Sequence, residues 1–210
     1  MKLSKALWDG NIGLARASLE HRFVRGLGDG SLPLESFREY VAQDAFFLES
    51  FARAYALALA HSPDGEGMRE FAGLVAGVLE ELRLHEGYAE GWGVSLDEVR
   101  PAAATLNYTD FLLATASLKG VGETCAAMAP CMRLYAFLGR SLSEEGYGKE
   151  NPYAEWIETY ADEGFEGLAA KLETLLDRYA DDTPAVRAAY RRAMELELAF
   201  FEANAGAGDG

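Results

Sequence analysis

Apolar residues recur along this chain by alternating steps of three and four, the signature of helices that bury one face. On that pattern, with turn residues marking the breaks, helices are expected near 3–20, 34–62, 66–92, 107–119, 121–145, 152–162, 164–180 and 184–204. Breakers fall between them at Gly26-Leu27-Gly28-Asp29-Gly30, Ser62-Pro63-Asp64-Gly65, Gly146-Tyr147-Gly148 and Asp181-Asp182-Thr183-Pro184. Thr183 has the chemistry of an N-cap, with Pro184 at the first helical position. Ser95 and Glu98 have capping-box spacing and are expected to open a short turn before Pro101. Pro130 falls inside the 121–145 helix and predicts a kink there, one residue before Cys131. No useful length alternates with period two, so the expected class is all-α. We read a single-domain bundle of about eight helices over 1–202, with a disordered tail at 203–210.

Two of these stripes are interrupted by an acid. Phe37, Tyr40, Asp44, Phe47, Phe51 and Tyr55 share one face, and Val186, Tyr190, Ala193, Glu197 and Phe200 share another. Burying an ionised carboxylate costs several kcal/mol unless partners compensate. Asp44 and Glu197 therefore point to an interior pocket with chemistry in it. A third stripe, Thr124, Met128, Cys131, Tyr135 and Leu138, brings a thiol to the same kind of face. A lone Cys there is ordinarily a small buried hydrophobe; the company of two interior acids favours a nucleophile whose proton a neighbour takes. Phe47, Tyr108, Tyr135, Tyr160 and Phe200 read individually as core. Together they offer flat faces and phenols to a planar heteroaromatic ligand.

Composition narrows the partners. With 34 acids against 19 bases the formal net charge is −15, which disfavours nucleic acid and anionic membranes. No window reaches the length of a transmembrane span, and Met1–Trp8 lacks an apolar run suited to export. Cys125 and Cys131 are six apart, pointing in different directions on one helix, so a reduced, cytoplasmic protein is expected. A competing use of interior acids is metal binding: Asp44, Glu49, Glu81, His85 and Glu197 could be drawn as ligands of an oxidase or oxygenase. The Glu-x-x-His spacing of di-iron bundles is absent. His21 reads as a helix C-terminal residue favoured by the dipole, or as a haem ligand.

With these residues in place, the chain resembles the TenA (thiaminase II) family, which has the haem-oxygenase-like fold. His21 through Pro33 is similar to the family's HPFVxGLxDGxLP segment. Gln43-Asp44-Ala45-Phe46-Phe47-Leu48, Tyr108-Thr109, Pro130-Cys131-Met132-Arg133-Leu134-Tyr135 and Pro152 through Tyr160 follow in order, and Glu195 through Phe201 is similar to ELExxFW. The resemblance implies that Cys131 attacks a pyrimidine ring, Glu197 protonates a ring nitrogen, and Asp44 binds the ring's amino group. It makes Phe47, Tyr108, Tyr135, Tyr160 and Phe200 the pocket lining, with Tyr160 bonded to Glu197. The implied activity is hydrolysis of 4-amino-5-aminomethyl-2-methylpyrimidine, or thiamine, to 4-amino-5-hydroxymethyl-2-methylpyrimidine. The implied enzyme uses no metal or organic cofactor and assembles as a homotetramer. A metal- or haem-dependent oxidase or oxygenase on the same fold, and a pyrimidine-binding protein without turnover, are the alternatives. Arg22 replaces the family's Pro, Phe201 its Trp, and Met132-Arg133 a more aromatic pair. An Arg at 133 is expected to alter the pocket mouth or a subunit contact.

Overall fold

The computed structural model describes residues 1–91 and 100–206, with the backbone alone at 84–88 and 90–91. Among the described residues the chain forms nine helices and no strand. They are α1 (Leu3–Leu19), α2 (Arg22–Asp29), α3 (Leu34–His61), α4 (Gly65–Gly91), α5 (Ala103–Leu118), α6 (Val121–Glu145), α7 (Ala154–Ala161), α8 (Glu163–Tyr179) and α9 (Pro184–Asn204). The all-α single bundle matches the expectation from periodicity. Helix α6 is the central strut, packed on α7, α8 and α9, while α3 packs chiefly on α4 and α5. That arrangement surrounds the midpoints of α3 and α6 with other helices, where a buried site has to sit.

The ninth helix is a correction. Residues 26–30 read as a breaker from sequence, yet residues 22–29, two glycines included, are helical. The His21 ring caps the first turn by accepting the Phe23 N–H, and Gly30, at φ 78°, stops the last. Gly28 is tolerated because Leu142 of α6 lies where a side chain would be, with its Cδ2 2.8 Å from an added Cβ. Tertiary approach overrides local propensity here. His21 is thus the N-cap of α2, with Nε2 2.6 Å from the Glu202 carboxylate. Both ring nitrogens have protein partners, which argues against the haem-ligand reading.

The tail boundary also moves. Ala203 and Asn204 belong to α9, Asn204 and Ala205 are buried, and the Gly206 carbonyl accepts a bond from Arg22 at 2.8 Å. Thr183 caps α9 through the Val186 N–H at 3.2 Å, as its chemistry requires. Helix α5 begins four residues earlier than periodicity suggests, because Gln43 accepts the Ala102 N–H and the Thr105 hydroxyl while donating to the Arg100 carbonyl. The Ser95–Glu98 capping box lies outside the described residues. Pro130 sits inside α6.

Candidate active site

A long apolar stripe with one acid in it is stable only if the acid finds partners, and both interior acids are deeply buried: Glu197 is 1% exposed and Asp44 5%. Glu197, on α9, accepts a hydrogen bond from the Tyr108 hydroxyl of α5 at 2.7 Å. It also accepts one from the Cys131 thiol of α6. Three helices therefore meet at one carboxylate. Sequence resemblance assigned the phenol partner to Tyr160; the structure gives it to Tyr108, because α5 approaches α9 at that level.

Beside the thiol lies a small concavity, partly open to solvent. Its wall includes Asp44 and Phe47 from α3, Glu81 from α4, Cys131 and Tyr135 from α6, and Tyr160 from α7. Cys131 is partly exposed and lines this space. Of the eight residues expected from sequence, five line the cavity. Tyr108 and Glu197 join the site through their bonds to one another and to the thiol, and Phe200 backs Phe47 at 6.2 Å between ring centres. Phe47 in turn leans on Tyr108 at 4.8 Å. The ring wall is thereby tied to the Tyr108–Glu197 pair.

The opposite wall is held by aromatic contacts and a short polar chain. Tyr135 meets Tyr160 edge-on at 4.8 Å, and Tyr160 meets Phe165 of α8 at 4.8 Å. Trp156 Nε1 donates to the Tyr40 hydroxyl, which donates to the Tyr135 hydroxyl at 3.3 Å. Tyr160 reaches this position because Gly139 of α6 has no side chain; an added Cβ would strike the Tyr160 backbone.

Electrostatics follow from burial. Desolvation raises Glu197 to about 7, against the bonds from Tyr108 and Cys131, which lower it; the nearby Asp44 charge also raises it. Burial pushes the Cys131 thiol well above its ordinary range, helped by the charges of Glu197 and Asp44 and by the bond to Glu197. The resting site thus holds a neutral thiol beside a carboxylate that gains or loses a proton near neutrality. Burial also keeps the Tyr108, Tyr135 and Tyr160 phenols neutral, as donors.

Several sequence expectations fall elsewhere. Glu49, drawn as a metal ligand, is exposed and paired with Arg53 at 3.1 Å. The side chain of His85 lies outside the described residues. Among the described residues no group of three or more His, Cys, Asp or Glu side chains is placed to share a metal ion. Arg133 turns away from the cavity, bidentate to Glu173 and bonded by Nη1 to both Glu166 oxygens at 2.8 Å, and so ties α6 to α8. Glu81, Val78, Met132 and Phe165 line the cavity without having been selected as pocket residues. Only Glu81 carried a signal, as a polar residue considered for metal.

The profile of the TENA/THI-4/PQQC family matches residues 11–206. The chain is 34% identical to the Bifunctional TH2 protein, mitochondrial, of Arabidopsis thaliana, over 89% of its own length and 34% of that protein's. It therefore spans about a third of that relative. It is also 34% identical to an Aminopyrimidine aminohydrolase of Halalkalibacterium halodurans, over 86% of this chain and 83% of that one. The crystal structure of a TenA family transcription regulator from a Silicibacter species superposes with a TM-score of 0.89 at 30% identity, covering 97% of this chain and 96% of the other.

Proposed function

The chain belongs to the TENA/THI-4/PQQC family, and from that footing we propose that it is a thiaminase II-type aminopyrimidine aminohydrolase. Its substrate on this reading is 4-amino-5-aminomethyl-2-methylpyrimidine, with thiamine as a second candidate, and its product the corresponding hydroxymethylpyrimidine. The observation that carries the reading is the junction of Tyr108, Glu197 and Cys131 behind an aromatic cavity that also exposes Asp44.

The ring lies against Phe47 and Tyr135, and Asp44 accepts from its 4-amino group. Glu197 gives a proton to a ring nitrogen and recovers one from the Cys131 thiol as sulfur bonds to the adjacent ring carbon. No free thiolate has to form, which suits a thiol whose anion is disfavoured by burial. Electrons then return from the ring and expel the protonated amine as ammonia, leaving an exocyclic methylene. Water adds to that carbon, the C–S bond breaks, and aromaticity returns with the thiol reprotonated through Glu197. The atoms balance as amine plus water giving alcohol plus ammonia. Tyr108 holds the carboxylate in place throughout.

Assembly as a homotetramer and action in the cytoplasm belong to the same proposal. Exposed Met68 and Leu79 on α4 and Leu106 and Leu118 on α5 supply apolar surface for assembly. The two unbridged cysteines suit a reducing compartment. Among the described residues no helix is long and apolar enough to cross a membrane. The test is incubation with the aminomethylpyrimidine and with thiamine, following release of the hydroxymethylpyrimidine. Release from neither compound removes the reading.

A further inference from the structure

The mechanism above uses two of the three carboxylates at this site. Glu81, at the middle of α4, forms part of the cavity wall together with Asp44, Cys131 and Tyr160, yet has no role in the steps so far. Its charge reaches the thiol and the Tyr160 phenol, placing it close to the reacting centre. The cavity wall contains no cationic side chain among the described residues. A carboxylate on that wall is placed to meet a positive charge on the ligand. It is poorly suited to activating the thiol, because a further negative charge makes thiol deprotonation harder.

The proposed substrate supplies the positive charge. Its 5-aminomethyl group is an ammonium at neutral pH and sits on the ring carbon next to the one bearing the 4-amino group. Two N–H donor groups thus lie side by side, and the cavity offers two carboxylates from adjacent helices, Asp44 on α3 and Glu81 on α4. The third nitrogen function, in the ring, is left for Glu197. We propose that Glu81 is the leaving-group selector: its carboxylate receives the ammonium of the 5-aminomethyl arm while Asp44 holds the neighbouring 4-amino group. The inference rests on the function proposed above and deepens it.

Chemistry explains the benefit. An amine leaves as neutral ammonia only when it is already protonated; otherwise it would have to leave as an amide anion. Glu81 binds that protonated form and stabilises it in the bound substrate, before bond cleavage. Such an interaction is made about equally in ground and transition states, so it governs KM more than kcat. The hydroxymethyl product has no charge to offer Glu81, which favours its release.

The test compares Glu81→Gln with the wild-type protein in KM and kcat for the aminomethylpyrimidine, and in Kd for the hydroxymethylpyrimidine. The expected result is a KM raised roughly tenfold, in line with loss of a charge-assisted bond, with kcat within a few-fold and the alcohol's Kd unchanged. Unchanged KM would overturn the assignment, and so would a parallel loss of alcohol affinity, which would mean that the variant damages the ring pocket. Absence of turnover by the wild-type protein would overturn both this inference and the function beneath it. A second measurement avoids changing Glu81. In Cys131→Ser protein the amine should bind about tenfold tighter than the alcohol, and equal affinities would refute the selector role.

Discussion

The Tyr108 hydroxyl and Glu197 Oε1 lie 2.7 Å apart, joining α5 to α9 at the carboxylate that also accepts from the Cys131 thiol. This bond opposes the effect of burial on the carboxylate, which stands at about 7. Tyr108→Phe removes a donor to a buried anion and leaves desolvation less opposed, so Glu197 should move further upward. The limb of the kcat/KM profile set by Glu197 is expected to shift alkaline by about one pH unit. A profile that stays where it is in the wild type would detach Tyr108 from the proton path.

Cys131 and Cys125 share a helix but not a role. Cys125 is fully buried, its thiol raised to about 12 by desolvation, and it does not face the cavity. Cys131→Ser should lose most turnover while retaining product affinity, because a hydroxyl adds to the ring far less readily than a thiol. Cys125→Ser should keep activity and lose some stability through packing. Equal losses of turnover from the two changes would show that the thiols act only as core.

Asp44 faces the cavity from α3 among aromatic neighbours. Asp44→Asn keeps the shape but replaces half of the acceptor with a donor, which opposes an incoming amino group. Affinity for the hydroxymethylpyrimidine should fall about tenfold or more. Calorimetry of product binding reads this without any turnover, and undiminished affinity would place Asp44 outside ring recognition.

How much of this was legible beforehand depends on what periodicity encodes. Asp44 and Glu197 stood out because each breaks an apolar stripe that a helix must bury, and burial is what the structure gives them; Cys131 stood out through their company, and it is partly buried beside them. Helix α2 was not legible, since its glycines argue against a helix until Leu142 is seen filling the space beside Gly28. Tyr108 rather than Tyr160 at Glu197 depends on the level at which α5 crosses α9, a relation between distant segments that spacing along one helix does not contain. Glu81 escaped the pocket reading because its helix is exposed on one side, where an acid is unremarkable.

Arg133 illustrates the same limit, and it predicts a change in stability without a change in chemistry. Its guanidinium is mostly buried and serves Glu166 and Glu173 together. Arg133→Ala removes the cation shared by Glu166 and Glu173 in a half-dry setting and leaves Glu166 to Arg140 at 3.4 Å, a loss of about 2–4 kcal/mol. Thermal unfolding should fall accordingly, while kcat and KM measured well below the new midpoint should stay near wild type. A large change in KM at low temperature would return Arg133 to the pocket.

Glu197→Gln separates the cost of the site from its use. An acid raised from its ordinary 4.5 to about 7 on folding holds more protons in the folded chain than in the unfolded one between those values. Wild-type stability therefore falls as pH rises through that window, by about 2–3 kcal/mol between pH 5 and pH 8. Gln carries no charge and lacks this dependence, while its side-chain oxygen still accepts the Tyr108 hydroxyl. The stability of the variant relative to wild type should therefore improve by that amount as pH is raised from 5 to 8, as read from denaturant midpoints at each pH. Turnover should fall by roughly 10²–10⁴, the usual worth of general acid–base catalysis, with product affinity within a few-fold. Gain of stability at high pH together with loss of turnover would mark Glu197 as a strained proton carrier. If the stability difference stays flat with pH and turnover is normal, the carboxylate is an ordinary core group and the mechanism fails at its first proton transfer.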